Sequence, residues 1–220
     1  MNRARCAEAL DILRRESDRG EDRIAVAAER RGRALHLRRR VAHPDRGRDL
    51  RLRTGEVVLQ LHRDWAPLGV DRFYNLAKNG FYDDSRVYRV MDGFMAQFGI
   101  HEDPYVTQAW KKQFIVDDPV VGTNSRGRVT FAKGGLHTRT TELFINYRDN
   151  PALDEDGFSP IGEVIEGMEV VDTFYAAYGD GPPRGSGPYA AMAEARGNEY
   201  LDTDFGELTQ IICVTLEEGG

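Results

Sequence analysis

Alternating hydrophobic and polar positions predict several short β-strands in residues 54–218. In residues 56–62, Val57, Leu59 and Leu61 alternate with mostly polar positions, as in a half-buried strand. Similar short runs predict strands at 87–91, 94–98, 127–132, 143–147, 161–164 and 208–216. Because strands and helices do not alternate regularly, this pattern favours a β-barrel or a β-sandwich over a parallel sheet.

Two helices are predicted among these strands. Residues 66–79 begin with a proline in the first turn and end before Gly80. Their apolar face combines Val70, Phe73, Tyr74 and Ala77. The second helix is expected at 168–178. The polar segment 101–124 and the segment 179–188, which is rich in glycine and proline, are predicted to be loops.

The charges divide the chain into two unlike parts. The net charge is -6, but residues 1–53 contain 16 arginines, no lysine and 9 acidic residues, whereas residues 54–220 contain 14 basic and 27 acidic residues. We interpret 1–53 as an arginine-rich N-terminal extension that we expect to be poorly ordered, and 54–218 as the functional domain. An RNA-binding arm within residues 30–53 is an alternative interpretation, although the acidic body disfavours nucleic acid as the main partner.

Composition and motifs exclude several classes of site. No run reaches the roughly 18 apolar residues of a membrane span, and no apolar signal-peptide core follows Met1. As written, the chain is expected in the cytoplasm; a signal peptide upstream of Met1 would instead mean export. The five histidines lack metal-ligand spacing, and Ala152 occupies the first ligand position of a calcium-loop pattern. We therefore predict no metal and no cofactor.

Candidate chemistry lies in residues 87–99. On a strand, Val87, Arg89 and Met91 share one face, so a charged side chain lies among apolar neighbours. Phenylalanine, methionine and glutamine follow within ten residues of that arginine. The combination predicts a shallow apolar pocket with one strong donor at its edge, which suits a neutral amide beside an apolar ring. The alternative is a surface strand whose arginine extends into solvent.

These residues resemble a known family. The run Y-R-V-M-D-G-F-M-A-Q-F-G at 88–99 resembles the F-H-R-x-x-x-G-F-M-x-Q-G-G motif of cyclophilins, which are peptidyl-prolyl cis-trans isomerases. Further segments agree in order, at 66–76, at 127–132 with 143–146, and at 153–172. The resemblance extends over about residues 54–218, and the insertion at 179–198 resembles that of some bacterial members.

The resemblance implies a mainly β fold, a closed eight-stranded antiparallel barrel capped by two α-helices. It also implies that a strand enters directly before Gly55, which residues 49–53 are expected to supply. By motif, Arg89 is the catalytic residue. The implied substrate-binding positions are Phe94, Met95, Gln97, Ala132, Glu142, Phe144, Leu153 and Phe158. Among them, the family usually has glutamine at Glu142, and we hypothesise that this carboxylate pairs with Arg89 and restrains it.

The implied function is isomerisation of X-Pro bonds in peptides and unfolded protein chains, without covalent chemistry. Conjugation puts a barrier of ~18–20 kcal/mol on rotation of the amide, and a donor near the prolyl nitrogen favours the twisted state. Proline-containing peptides are therefore the expected partners of a monomer. We expect weak or no cyclosporin binding, because Ala152 and Phe158 replace the usual tryptophan and histidine. A binding module with little catalysis and an RNA-associated isomerase are the alternatives.

Overall fold

The computed structural model describes residues 33–41 and 53–217, and in them the chain is mainly β. The strands are β1 Arg33–Val41, β2 Arg53–Leu61, β3 Ser85–Val87, β4 Arg89–Met91, β5 Met95–Phe98, β6 Arg128–Phe131, β7 Leu143–Asn146, β8 Pro160–Glu166 and β9 Thr209–Glu217. The helices are α1 Pro67–Lys78, α2 Pro104–Trp110, α3 Ala152–Glu155, α4 Met168–Val171, α5 Ala190–Arg196 and α6 Asn198–Asp204.

The nine strands form one antiparallel sheet in the order β3-β9-β1-β2-β8-β6-β7-β5-β4. The predicted closed eight-stranded barrel capped by two helices is wrong for the described residues, which form nine strands, in an order whose end strands are β3 and β4, and six helices. These end strands are consecutive parts of one extended segment and therefore cannot lie side by side. The segment exchanges β9 for β5 as its partner around Tyr88, whose backbone N–H donates to Gln97 O across 3.1 Å.

Strand β1 comes from the arginine-rich part of the chain and lies between β2 and β9. It pairs with β2 along its whole length, from Arg33 opposite Leu61 to Val41 opposite Arg53. Of the segment 49–53 that we expected to form the upstream strand, only Arg53 is described, and it begins β2. The domain boundary at residue 54 stays a prediction, and the rest of the arginine-rich segment lies outside the described residues.

Helix α1 packs against the sheet as its apolar pattern predicts. Val70, Phe73 and Ala77 are buried in the core together with Leu59 of β2, which is 0% exposed. Tyr74 of the predicted face is only partly buried. The chain leaves the helix through Gly80, whose φ of +72° suits glycine.

The other helices differ from the prediction. Helix α4 ends at Val171 and not at residue 178. The N–H groups of Thr173 and Phe174 donate only three residues back, and that of Tyr175 donates to the Thr209 hydroxyl. Helix α2 lies in a segment predicted to be a loop. Its start has a recognisable signal, since the carboxylate of Asp103 accepts from the N–H of Tyr105 as an N-cap.

Candidate active site

A cavity of about 600 Å³ lies beside β4, β5 and β7. The structure brings all nine side chains predicted for the site to its wall. They are Arg89, Phe94, Met95, Gln97, Ala132, Glu142, Phe144, Leu153 and Phe158. Their roles stay predictions. Four of the nine, Arg89, Met95, Gln97 and Phe144, lie on β4, β5 and β7, and Leu153 lies on α3.

The register aligns the central site residues across three strands. Arg89 of β4 lies opposite Gln97 of β5, which lies opposite Phe144 of β7. Because opposite residues of an antiparallel pair point to the same face, these side chains form one row. The neighbouring row, which includes Ala96 and Ile145, faces the hydrophobic core. Alternation therefore separates the cavity wall from the core.

The apolar wall of the cavity is built from buried side chains. Met95 is 2% exposed and Phe144 is 5% exposed. The ring of Phe158 meets that of Phe144 edge-on, with centroids 6.0 Å apart. The N–H of Phe158 in turn donates to the carbonyl of Leu153 across 2.9 Å, which ties this ring to α3. The wall therefore offers a preformed surface for a small apolar ring.

Arg89 supplies the positive charge at the polar end of the cavity. Its Nε donates to Asp180 Oδ1 at 2.7 Å, and its Nη2 donates to Asp180 Oδ2 at 3.1 Å. Nη1 donates to Gln97 Oε1 at 2.9 Å. The hydrogen bond from Arg89 lowers the pKa of Asp180, although partial burial of the carboxyl opposes this shift. The guanidinium thus meets an ionised partner.

Glu142 lies on the other side of Gln97. Its Oε2 accepts from Gln97 Nε2 at 2.8 Å and also from the Tyr88 hydroxyl. Burial raises the pKa of Glu142 and outweighs the hydrogen bonds from Tyr88 and Gln97, which lower it. The pKa of Tyr88 is raised well above its usual value, chiefly by burial and then by Glu142. Gln97 therefore connects the arginine to a carboxylate without direct contact between the two charges.

A sequence model of the family "Cyclophilin type peptidyl-prolyl cis-trans isomerase/CLD" matches residues 49–186 of this chain. This chain belongs to the cyclophilin-type isomerases. The match confirms the family predicted from the motifs, and with it the enzyme class.

Relatives of this cyclophilin include bacterial and eukaryotic proteins. Peptidyl-prolyl cis-trans isomerase B of Escherichia coli (strain K12) is 35% identical over 127 residues, which cover 54% of this chain and 77% of the relative. Peptidyl-prolyl cis-trans isomerase-like 3 of Dictyostelium discoideum is 31% identical over 124 residues, covering 54% of this chain and 74% of the relative.

Solved cyclophilin structures share the fold of this chain. A cyclophilin type peptidyl-prolyl cis-trans isomerase of Cryptosporidium parvum superposes with a TM-score of 0.59 at 17% identity, covering 86% of this chain and 100% of its own. Its structure in the presence of the dipeptide Ala-Pro gives a TM-score of 0.56 at 17% identity, covering 83% and 99%. At this identity the comparison supports the fold alone.

The predicted pairing of Glu142 with Arg89 is wrong for this cyclophilin. Gln97 lies between the two residues on β5, and its amide takes one hydrogen bond from Arg89 and gives one to Glu142. The carboxylate that pairs with Arg89 is Asp180. Sequence reasoning missed Asp180, which lies 91 residues from the arginine in a segment predicted only to be a loop.

The far end of the cavity carries further charged side chains that the motifs did not single out. Lys111, the C-cap residue of α2, pairs with Glu194 of α5, and both line the cavity. Lys133 is 4% exposed and donates to Gly157 O at 2.8 Å and Asp117 Oδ2 at 3.0 Å. Part of the wall therefore comes from the end of α2, which lies in a segment predicted as loop, and from α5, for which no element was predicted.

Within the part of the chain that the structure describes, no group of three or more His, Cys, Asp or Glu residues is arranged to hold a metal ion. No described helix is both long enough and apolar enough to cross a membrane. His137, a loop histidine, is 57% exposed, and its Nδ1 accepts from the N–H of Asp117.

Proposed function

We propose that this cyclophilin isomerises X-Pro bonds in peptides and unfolded protein chains, and so assists their folding. The two isomers of an X-Pro bond lie within about 1 kcal/mol of each other, yet they exchange over tens of seconds. The catalyst therefore needs only to favour the twisted amide that lies between them. No nucleophile is required, because no covalent bond is made or broken.

Arg89 is the proposed catalytic residue. In the twisted amide the prolyl nitrogen regains a lone pair, and a fixed guanidinium donor stabilises it electrostatically. The Arg89 side chain is 25% exposed, so part of the guanidinium remains accessible from the cavity. An arginine suits this role because it stays charged at every physiological pH.

The apolar wall is proposed to hold the proline ring while the preceding carbonyl turns. Phe94, Met95, Phe144 and Leu153 contribute this surface. Gln97 is proposed to bond the substrate backbone, since its amide nitrogen carries two N–H groups and Glu142 takes one of them. Ala132, Glu142 and Phe158 complete the proposed contact surface.

The observation that carries this proposal is the row formed by Arg89, Gln97 and Phe144, which places a donor beside an apolar ring site. Cis–trans exchange in a short Ala-Pro-Phe peptide, measured for the wild type, Arg89→Ala and Arg63→Ala, tests it. Arg63 is a matched control because its side chain is 65% exposed and pairs with Asp71. We expect Arg89→Ala to lose roughly 10²-fold or more in kcat/KM and Arg63→Ala to match the wild type. Equal rates in all three proteins would contradict the proposal.

A binding module with little catalysis is the second candidate. The carboxylate of Glu142 beside Gln97 favours it, because a negative charge near the site opposes the field of Arg89. In that case the folded wild-type protein would bind a proline peptide, as detected by NMR titration, without accelerating exchange. The peptide assay above therefore separates the two candidates.

We also propose weak or no cyclosporin binding. Phe158 stands in the cavity wall at about the position where many cyclophilins have histidine, and Ala152 stands about where they have the tryptophan that contacts the drug. Isothermal titration tests this, and sub-micromolar affinity would contradict it.

The remaining partner proposals are that the isomerase acts as a monomer and does not bind nucleic acid or a membrane. The 14 basic and 27 acidic residues of 54–220 support the exclusion of nucleic acid, because this excess repels phosphate. Light scattering and RNA titration at two salt concentrations test these proposals.

A further inference from the structure

The partner of Arg89 comes from a loop rich in glycine and proline, residues 179–188. The two ends of the Asp180 carboxylate each accept a hydrogen bond from the guanidinium, at 2.7 and 3.1 Å. Both side chains are largely buried, with 25% of Arg89 and 14% of Asp180 exposed. A bidentate ion pair of this kind fixes the plane of the guanidinium as well as its position.

The loop is folded tightly around Asp180. The backbone carbonyl of Asp180 accepts a hydrogen bond from Gly187 N at 2.9 Å. The side-chain Oδ1 of Asp180 accepts another from Gly181 N at 2.8 Å. A Cβ at Gly185 would lie 2.3 Å from Asp180 O and 2.9 Å from Asp180 N. The absence of a side chain at residue 185 is therefore a condition for the position of Asp180.

The contacts of Arg89 leave a defined edge for substrate. A guanidinium has five N–H groups. Asp180 accepts from two of them, Gln97 accepts from one on Nη1, and the sulfur of Met91 lies 3.1 Å from Nη2. Among the described residues, the second N–H of Nη1 has no acceptor. Nη1 is the nitrogen that Asp180 does not contact.

We propose that Asp180 is a positioning residue for the isomerase reaction, which holds the guanidinium of Arg89 in its working orientation before substrate binds. The inference rests on the proposed function of Arg89. Without the carboxylate, the long side chain must be ordered during the reaction, which costs conformational entropy at the moment of catalysis. Asp180 itself need not touch the substrate.

The test compares Asp180→Ala with Asp202→Ala. Asp202 is a matched control because it makes the same bidentate ion pair with Arg86, at 2.8 and 2.9 Å. Neither of these two residues lines the cavity. We expect Asp180→Ala to lower kcat roughly tenfold while KM changes less than about twofold, and Asp202→Ala to leave both unchanged within about twofold.

Two further readouts separate positioning from a structural role. In an Arg89→Lys background, Asp180→Ala should change kcat by less than about twofold, because there is no guanidinium left to orient. In ¹⁵N spectra, the Arg89 Nε–H signal, assigned by its loss in Arg89→Ala, should shift or broaden in Asp180→Ala but not in Asp202→Ala. If Asp180→Ala fails to fold, Gly185→Ala displaces the Asp180 backbone instead and should reproduce the loss of kcat.

The outcomes distinguish this inference from the proposed function. Normal activity in Arg89→Ala would overturn the proposed function and this inference with it. Loss of activity in Arg89→Ala, together with a normal or increased kcat in Asp180→Ala, would overturn only the role of Asp180. An increased kcat would identify Asp180 as a restraint on Arg89 and not as its support.

Discussion

The side-chain amide of Gln97 donates a hydrogen bond to Glu142 across 2.8 Å, which places an uncharged group between that carboxylate and Arg89. Replacing Gln97 with glutamate removes the donor and brings two carboxylates together. Since both cannot ionise there without repulsion, we expect Gln97→Glu to lower the free energy of unfolding by about 1–3 kcal/mol at neutral pH. The loss should shrink at about pH 5, because one shared proton restores a donor.

Urea unfolding at the two pH values measures this effect. Gln113→Glu is the control, because Gln113 is exposed. A loss that is the same in both variants, or that does not depend on pH, would contradict the arrangement of Gln97 and Glu142.

The raised pKa of Glu142 predicts a pH dependence of stability with a definite sign. Burial makes the folded protein hold this proton more tightly than the unfolded chain does. Stability therefore decreases as pH rises from the ordinary pKa of a glutamate, about 4.3, through the raised folded value. Glu142→Gln removes this term, so the variant should gain stability relative to the wild type as pH rises across that window.

Thermal or urea unfolding at several pH values compares Glu142→Gln with Glu199→Gln, whose side chain is 74% exposed. The difference in unfolding free energy from the wild type should change with pH for Glu142→Gln and stay constant for Glu199→Gln. A slope of the opposite sign would mean that hydrogen bonds to the ionised carboxylate outweigh burial.

Asp118 connects the start of α1 to a buried arginine. Its carboxylate accepts from Leu68 N at 3.1 Å and Gly69 N at 2.8 Å, and Arg139 Nη2 lies 3.0 Å away. The side chains of Asp118 and Arg139 are each 2% exposed. Asp118→Ala removes the acceptor of these two backbone N–H groups, while Arg139 keeps its ion pair with Asp117 at 3.1 Å. We expect the loss of these hydrogen bonds to cost about 1–3 kcal/mol of unfolding free energy. Asp71→Ala, which breaks an exposed ion pair, should cost about 0–1 kcal/mol.

Gly162 lies where β8 approaches β2 closely. A Cβ there would lie 2.2 Å from Gln60 O and 3.1 Å from Leu61 Cα. Because both are backbone atoms of a paired strand, Gly162→Ala should lower stability by about 1–3 kcal/mol or more. Gly135→Ala is the control, since apart from its chain neighbours no described residue lies within 4 Å of the added carbon. Similar melting temperatures for the two variants would contradict this packing.

Much of the candidate site could be predicted because the patterns that indicate it involve residues close together along the chain. Period-two alternation within β4 and within β5 puts Arg89 and Gln97 on the cavity face, and the register of these strands follows from the turn between them. The prediction that Val87 shares this face is wrong, because Val87 is buried in the core and the alternation is interrupted at Tyr88. Helix α1 was equally clear, since an apolar face and a terminal glycine are local signals. In contrast, no local pattern indicated that α4 ends at Val171 or that the N–H of Tyr175 donates to Thr209, which lies 34 residues away.

The sequence by itself determined the family, the mainly β fold and nine of the side chains that line the cavity, because motif spacing and alternation depend only on neighbours along the chain. The tertiary structure alone decided that β1 pairs with β2 and β9, that residues 85–91 change partner from β9 to β5, and that Asp180 meets Arg89. The physical reason is that strand pairing and ion pairing depend on distances in space. Residues 89 and 180 become neighbours only when the sheet and the glycine-rich loop are both folded.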